Sequence, residues 1–190
     1  MPILPPYSIA VARPDQYTAI GELLVQTYSA LPGMPRVIDQ PEYYARLRDV
    51  EARASNAAIT VYVALSAAGD LMGSVDFIHS MEQYGSGGRA TTVADAAGIR
   101  LLAVADAYRG SGVGKRLTGV CIERAATVGK SQVILHTTRA MGTAWTMYER
   151  LGFVRSEDLD FMQCDLEVCG FRLRLAQRQA RPEDLANGRI

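Results

Sequence analysis

The sequence predicts a single-domain α/β fold, with a mixed, mostly antiparallel sheet of six or seven strands and two early and two late helices on both its faces. Three observations lead there. Short β-branched apolar runs recur along the chain, segments of helical spacing stand between them, and the run at 99–104 passes through a glycine turn directly into a helix. The 190 residues bury enough surface for one core and leave little for a second. The domain is therefore read over residues 1–176, with a polar tail at 177–190.

Residues 7–12 alternate as a first strand, and Pro14 with Asp15 opens a helix, since proline and an acid both suit a first turn. Ile20, Leu23, Leu24 and Tyr28 share one face of it. LPGMPR at 31–36 breaks that pattern, and a second helix is signalled at Asp39, with Tyr43, Leu47 and Val50 as its apolar stripe. Residues 59–65 and 71–78 read as a hairpin turning at Gly69 and Asp70. The polar, glycine-rich stretch at 80–98 has a length typical of functional or mobile loops. After the strand at 99–104, Val113, Leu117, Val120, Cys121, Arg124 and Val128 take helical spacing. Residues 133–138 form another strand. Met141, Ala144, Trp145, Tyr148 and Leu151 then mark a helix that Gly152 stops. Residues 153–155 and 170–175 are closing strands, the second read as an edge that a second copy of the chain can pair with.

Composition removes several function classes. Lys plus Arg and Asp plus Glu both number 20, so no global field gathers nucleic acid or an anionic membrane surface. Any bound anion must be held locally. No stretch approaches the roughly 20 apolar residues of a membrane span, and the first residues, MPILPPYSIAVAR, lack the basic segment of a secretory signal. Three cysteines, one of them in a helix, suggest no disulfide framework and fit a reducing cytoplasm. Two histidines, and Cys164 and Cys169 with four residues between them rather than two, give a metal site little support.

The glycine turn carries the chemistry. A strand that opens a helix through Gly110, Gly112 and Gly114 aims unpartnered amides at one point, which suits a phosphate. The glycines keep side chains away from that point and can take positive φ. GSGVGK superficially suggests a P-loop, but counting back from Gly114 and Lys115 places Arg109 where that motif has its first glycine, and Arg116 where it needs a hydroxyl. The dinucleotide pattern GxGxxG fails too, since its third glycine falls at Lys115. A bare structural connection is the alternative reading, though three alternating glycines exceed what one turn needs.

The segment VADAYRGSGVG (104–114) resembles the pyrophosphate-binding signature of the GNAT acetyltransferases: Arg or Gln, two residues, Gly, one residue, then Gly or Ala. Arg109, Gly112 and Gly114 match its fixed positions. AWTMYERLGF (144–153) resembles the family's second motif, a tyrosine-bearing helix running through Leu-Gly-Phe into a strand. The resemblance covers residues 99–155. It implies acetyl transfer from acetyl-CoA to a primary amine by direct attack, without a metal, on a sheet whose central strand pair splays. Arg109, Gly110, Ser111, Gly112, Val113, Gly114 and Lys115 would hold the pyrophosphate, and Leu102, Ala103 and Val104 the pantetheine, with a strand amide there polarising the acetyl carbonyl.

The resemblance also makes Tyr148 the catalytic tyrosine facing the CoA sulfur. A phenol of pKa about 10 is a weaker acid than a thiol of about 8.5, so the residue suits a hydrogen-bond donor better than a full proton source. Its bland reading is a core tyrosine. Two positions depart from the family: Met141 stands where many relatives have a pantetheine-binding asparagine, and Gly98 and Arg100 where many have a glutamate base. Asp76, Glu82, Asp95 and His79 are the substitutes nearest in sequence, alongside a water-mediated route. Those departures leave a non-catalytic acyl-CoA sensor as the rival reading, and an interaction domain without ligand as a third. Residues 17–50 and 80–98 would shape the acceptor site; Glu22, Asp39, Glu42, Asp158 and Asp160 are the acids available to a cationic acceptor.

Overall fold

The computed structural model describes residues 6–85, 87–163 and 165–175, so the expected tail at 177–190 lies outside the described residues. Strand β1 (Tyr7–Val11) leads into helix α1 (Tyr17–Ser29), followed by α2 (Pro41–Arg48) and α3 (Val50–Ala54). Then come β2 (Ile59–Ser66), β3 (Leu71–Ile78), β4 (Ala96–Val104), α4 (Val113–Thr127), β5 (Gln132–Thr137) and α5 (Gly142–Arg150). The chain closes with β6 (Val154–Arg155), β7 (Phe161–Gln163) and β8 (Leu166–Arg174).

The strands lie in the order β1-β2-β3-β4-β5-β8-β6, with β7 pairing β8 off that path. Only β4 and β5 pair in parallel. Eight strands exceed the six or seven expected because β7, three residues long, is too short to show a period. The expected second helix divides: the Asp49 backbone leaves helical geometry and its carboxylate caps α3 by accepting from the Ala52 amide at 3.0 Å. The closing strand is no edge, since β8 is flanked by β5 on one side and β6 and β7 on the other. The dimer contact expected there has no free ladder to use.

Both faces of the sheet are covered. Ile20, Leu24, Tyr44, Leu47 and Val50 of α1 to α3 pack on Val61, Val63 and Ala103. A Cβ at Gly21 would come within 2.9 Å of the Arg48 backbone, so glycine permits this close helix crossing. On the opposite face Val113, Leu117, Cys121 and Tyr148 of α4 and α5 pack on Phe77, Ile99, Val133, Leu135 and Phe171. Each such fully buried side chain contributes roughly 1.5–3 kcal/mol. From the stretch at 80–98, Met81, Tyr84 and Ala90 join a third cluster with Ile134 and Leu159.

Two irregularities of β4 prepare the site. Its register with β3 shifts between Ser74↔Ala103 and Asp76↔Arg100, and Leu101 takes φ 52, a left-handed conformation uncommon outside glycine. The pairing of β4 with β5 runs from Ala96↔Gln132 to Ile99↔Leu135 and stops, although β4 continues to Val104 and β5 to Thr137. The two central strands therefore splay.

Candidate functional site

The first half of the site is the turn between β4 and α4. Gly110 (φ 73) and Gly112 (φ 88) both take the left-handed conformation, and Gly112 is the residue that caps α4. No side chain caps this helix. The amides of Val113, Gly114 and Lys115 have no acceptor among the described residues, and bonding within the helix begins with Arg116 donating to the Gly112 carbonyl at 3.0 Å. A Cβ at Gly110 or Gly112 would meet nothing within 4 Å, so the space above the amides is open. Free amides, the positive end of a 15-residue helix and unobstructed space together suit a phosphate.

The other residues of the turn differ in what they can offer. Val113 is fully buried and presents only its amide. The Ser111 hydroxyl donates to the Tyr108 carbonyl. Arg109 is exposed and pairs with Asp106 at 2.8 Å, a surface contact of small energetic weight. Arg116 turns to Glu123 at 3.0 Å, whereas exposed Lys115 has no carboxylate partner among the described residues.

A Cβ at Gly114 would lie 3.4 Å from Val104, 3.7 Å from the Met147 sulfur and 3.9 Å from Leu102, so the first turn of α4 stands against these apolar side chains. The three strand residues separate by alternation. Ala103 packs towards α1 opposite Ser74, and Ala105 donates to Met72 at 2.9 Å. The backbone groups of Leu102 and Val104 consequently face away from β3, into the gap left by β5.

The second half is a cleft of about 620 Å³ on the α1–α3 side of the splay. Ile99 and Leu135, the last paired positions, point to the α4 face. Alternation turns the next positions, Arg100 and His136, to the other face, and both line the cleft. The bulge keeps Leu101 there as well.

Tyr84 bridges the fork. Its hydroxyl lies 2.9 Å from His136 Nδ1, its carbonyl accepts from Arg100, and the Arg100 guanidinium stands 5.4 Å over its ring. His136 Nε2 lies 2.9 Å from the Leu159 carbonyl. A carbonyl only accepts, so the proton sits on Nε2 and Nδ1 accepts from Tyr84. Burial holds His136 below the usual histidine range and pushes the Tyr84 phenol up. A Cβ at Gly98 would come within 2.6 Å of the Tyr84 ring, so the ring fills the space of a β4 side chain at that position.

The four substitutes for the base noted in the sequence lie elsewhere. Asp76 is 3 % exposed and held by Arg53 at 2.8 Å. His79 contacts Thr60 at 2.8 Å and feels Arg124 and Lys130, which places it towards α4. Glu82 and Asp95 are exposed, and none of the four lines the cleft. Tyr148 does not line it either. The residue is 5 % exposed, packs edge-on against Phe153 at 5.8 Å, and its hydroxyl has no protein partner among the described residues. Burial, with Tyr84 and Cys121 nearby, pushes its phenol up, away from acid strength. Met141 lines the cleft and its sulfur accepts from the Thr137 hydroxyl at 3.4 Å.

Residues 18–153 match the acetyltransferase (GNAT) family. Similar solved structures include a GNAT-family acetyltransferase from Staphylococcus aureus Mu50, with a TM-score of 0.69 at 16% identity over 90% of this chain and 100% of that one. An N-acetyltransferase from Thermoplasma acidophilum in complex with coenzyme A gives 0.66 at 14% identity, covering 87% and 98% of the two chains. Spermidine N-acetyltransferase from Vibrio cholerae, in complex with CoA and spermine, gives 0.59 at 16% identity, covering 88% and 95%. No curated protein matches the chain in sequence. No helix among the described residues is long and apolar enough to cross a membrane.

Proposed function

The chain belongs to the GNAT family of acetyltransferases, and from that premise we propose that it transfers the acetyl group of acetyl-CoA directly to a primary amine. The observation that carries this reading is the meeting of the two half-sites at one splay: unpartnered amides over open space on one side, a cleft on the other. The amides of Val113, Gly114 and Lys115 would hold the pyrophosphate, with Gly110 and Gly112 giving it access, and Lys115 adding charge at the rim. Leu102, Val104 and Met147 would flank the pantetheine. Ala103 supplies strand pairing to β3 and no ligand contact.

The amine would reach the thioester from the cleft. A Leu102 or Val104 amide, fixed by the strand before charge develops, would stabilise the carbonyl oxygen as it becomes negative. The amine must lose a proton as its bond to carbon forms. Tyr84 can accept that proton on its hydroxyl oxygen while passing its own to His136 Nδ1, which is neutral and already aligned at 2.9 Å. The pair would thus do the work of the glutamate that relatives carry near Gly98. Tyr148, its phenol held protonated by burial, would donate a hydrogen bond to the departing sulfur. A reducing cytoplasm suits the buried free thiols of Cys121 and Cys169.

Calorimetric titration with acetyl-CoA, with ATP and NADH as controls, tests the donor site without knowledge of the acceptor. Selective binding followed by acetylation in an amine screen supports the enzyme. Tight binding without transfer to any amine would leave a sensor, and failure to bind would overturn the reading. Tyr84→Phe and His136→Gln should each lower kcat while leaving acetyl-CoA affinity unchanged.

A further inference from the structure

The charges lining the cleft are not those that a polyamine requires. Its arginines are Arg46, Arg53 and Arg100, and its only lining carboxylate among the described residues is Asp49. Asp49 is occupied as the cap of α3. Arg53 is occupied too, paired with Asp76 at 2.8 Å and donating to the Arg46 carbonyl at 2.6 Å. Glu22, Asp39, Glu42, Asp158 and Asp160, the acids that the sequence offers to a cationic acceptor, do not line the cleft.

Arg100 differs from both. It is half-buried at the point where β4 and β5 part; its charge is felt by Asp76, its register partner on β3, but no carboxylate among the described residues lies within ion-pair distance of it. One arm of its guanidinium is anchored by the Tyr84 carbonyl and its plane by the Tyr84 ring. The remaining donors are held in place and unpaired, the arrangement in which an arginine fork binds a planar anion. Arg46 adds a second unpaired cation at the exposed rim. Around them Met34, Leu47, Leu101 and Phe161 give the cleft apolar walls.

We propose that the acceptor is an amine bearing a carboxylate, of the amino-acid type with an apolar side chain, whose carboxylate is held by Arg100 beside the Tyr84–His136 pair. The carboxylate on Arg100 leaves an amine one carbon away at the mouth of the splay. The apolar side chain extends between Leu47, Leu101 and Phe161. This proposal rests on the transferase reading and narrows its substrate.

The test compares leucine, methionine and phenylalanine with the corresponding decarboxylated amines and with spermidine, using acetylation rates with acetyl-CoA and thermal shifts of the protein with each compound alone. The amino acids should exceed their decarboxylated partners by about a hundredfold in kcat/KM, the scale of one buried charge-assisted contact. Arg100→Gln should collapse that ratio, Arg100→Lys should keep part of it, and Arg46→Gln, at the rim, should weaken it without disturbing Tyr84. Acetyl-CoA titration of each variant confirms that the donor site is intact. Preference for spermidine or a simple amine, or an equal loss of all acceptors in Arg100→Gln, would overturn the proposal while leaving acetyl transfer standing. Loss of acetyl-CoA binding by the unaltered protein would instead strike the transferase reading. In that event the carboxylate proposal still answers to the thermal shifts, and no selectivity for the carboxylate there would refute it.

Discussion

The glycine turn makes opposite demands at two positions only two residues apart, so Gly112→Ala and Gly114→Ala should separate fold from ligand. Gly112 sits at φ 88, where a Cβ costs roughly 1–2 kcal/mol. The narrower unfolded ensemble of alanine returns about 0.4–1 kcal/mol. The net loss of about 1 kcal/mol should lower Tm by about 2–4 °C in a chain of this size. The added methyl meets no protein atom within 4 Å, so it projects into the space assigned to the pyrophosphate. Acetyl-CoA should therefore bind at least about tenfold more weakly, a loss of about 1.4 kcal/mol. Gly114 lies in α4 without positive φ, and its Cβ would find Val104, Met147 and Leu102 at ordinary contact distances of 3.4–3.9 Å. Gly114→Ala should fold at least as stably as the natural chain, by up to about 1 kcal/mol from helix propensity, and keep most of its affinity. Thermal unfolding and calorimetry on the same samples read both quantities. If Gly112→Ala binds acetyl-CoA as tightly as the natural chain does, the phosphate does not sit at these amides.

Four further outcomes are expected. Asp76→Asn takes the carboxylate from the largely buried Arg53, which keeps its backbone carbonyl partners, and should cost about 1–3 kcal/mol in urea unfolding; a loss within experimental error would mean that the pair contributes nothing. Gly98→Ala drives a methyl against the Tyr84 ring and should cost about 1–3 kcal/mol, with kcat falling further than stability alone explains; a variant with unchanged stability would place Tyr84 elsewhere. His136 and His79 both titrate below their unfolded value near 6.5, so the unfolded chain binds more protons in that window and stability rises with pH across it. Their contribution should be complete above about pH 6.5 and lost as pH falls through the folded values, and His136→Gln should flatten the slope of urea midpoint against pH. Tyr148→Phe should slow turnover much more than it weakens acetyl-CoA binding, and equal turnover would remove the hydroxyl from the mechanism.

The donor half was legible because its signals are local. A strand, three alternating glycines and an amphipathic helix occupy adjacent residues, and the physics of positive φ and unpaired amides acts over the same span. Helices α1, α4 and α5 and the long strands were legible for the same reason, each carrying its own apolar period. The break at Asp49 was not, because an aspartate in a helical stripe looks like a solvated residue until its carboxylate turns back to cap α3. Strand β7 was invisible in three residues, and the bare edge that the sequence suggested at 170–175 is covered by β6, which pairs with Phe171 and Arg172.

The acceptor half was hidden because it exists only through register. Tyr84 and Arg100 stand 16 residues apart, and Tyr84 and His136 stand 52 apart. What unites them is that β4 and β5 stop pairing at Ile99↔Leu135, so the next residue on each strand faces the same cleft. The departure from the family at Gly98 was visible, but its meaning was not. A missing glutamate reads from sequence as lost chemistry, whereas in the fold the missing side chain admits the Tyr84 ring and brings a hydroxyl to His136. The local signal that could have been used was a lone tyrosine in a polar, glycine-rich segment, since an aromatic there has little reason to exist unless it is buried. The same argument explains why acids near in sequence were poor guides to the base: Asp76 was already committed to Arg53, and Glu82, Asp95 and His79 project away from the fork. Position along a strand specifies a face, but only the partner strand specifies which faces meet.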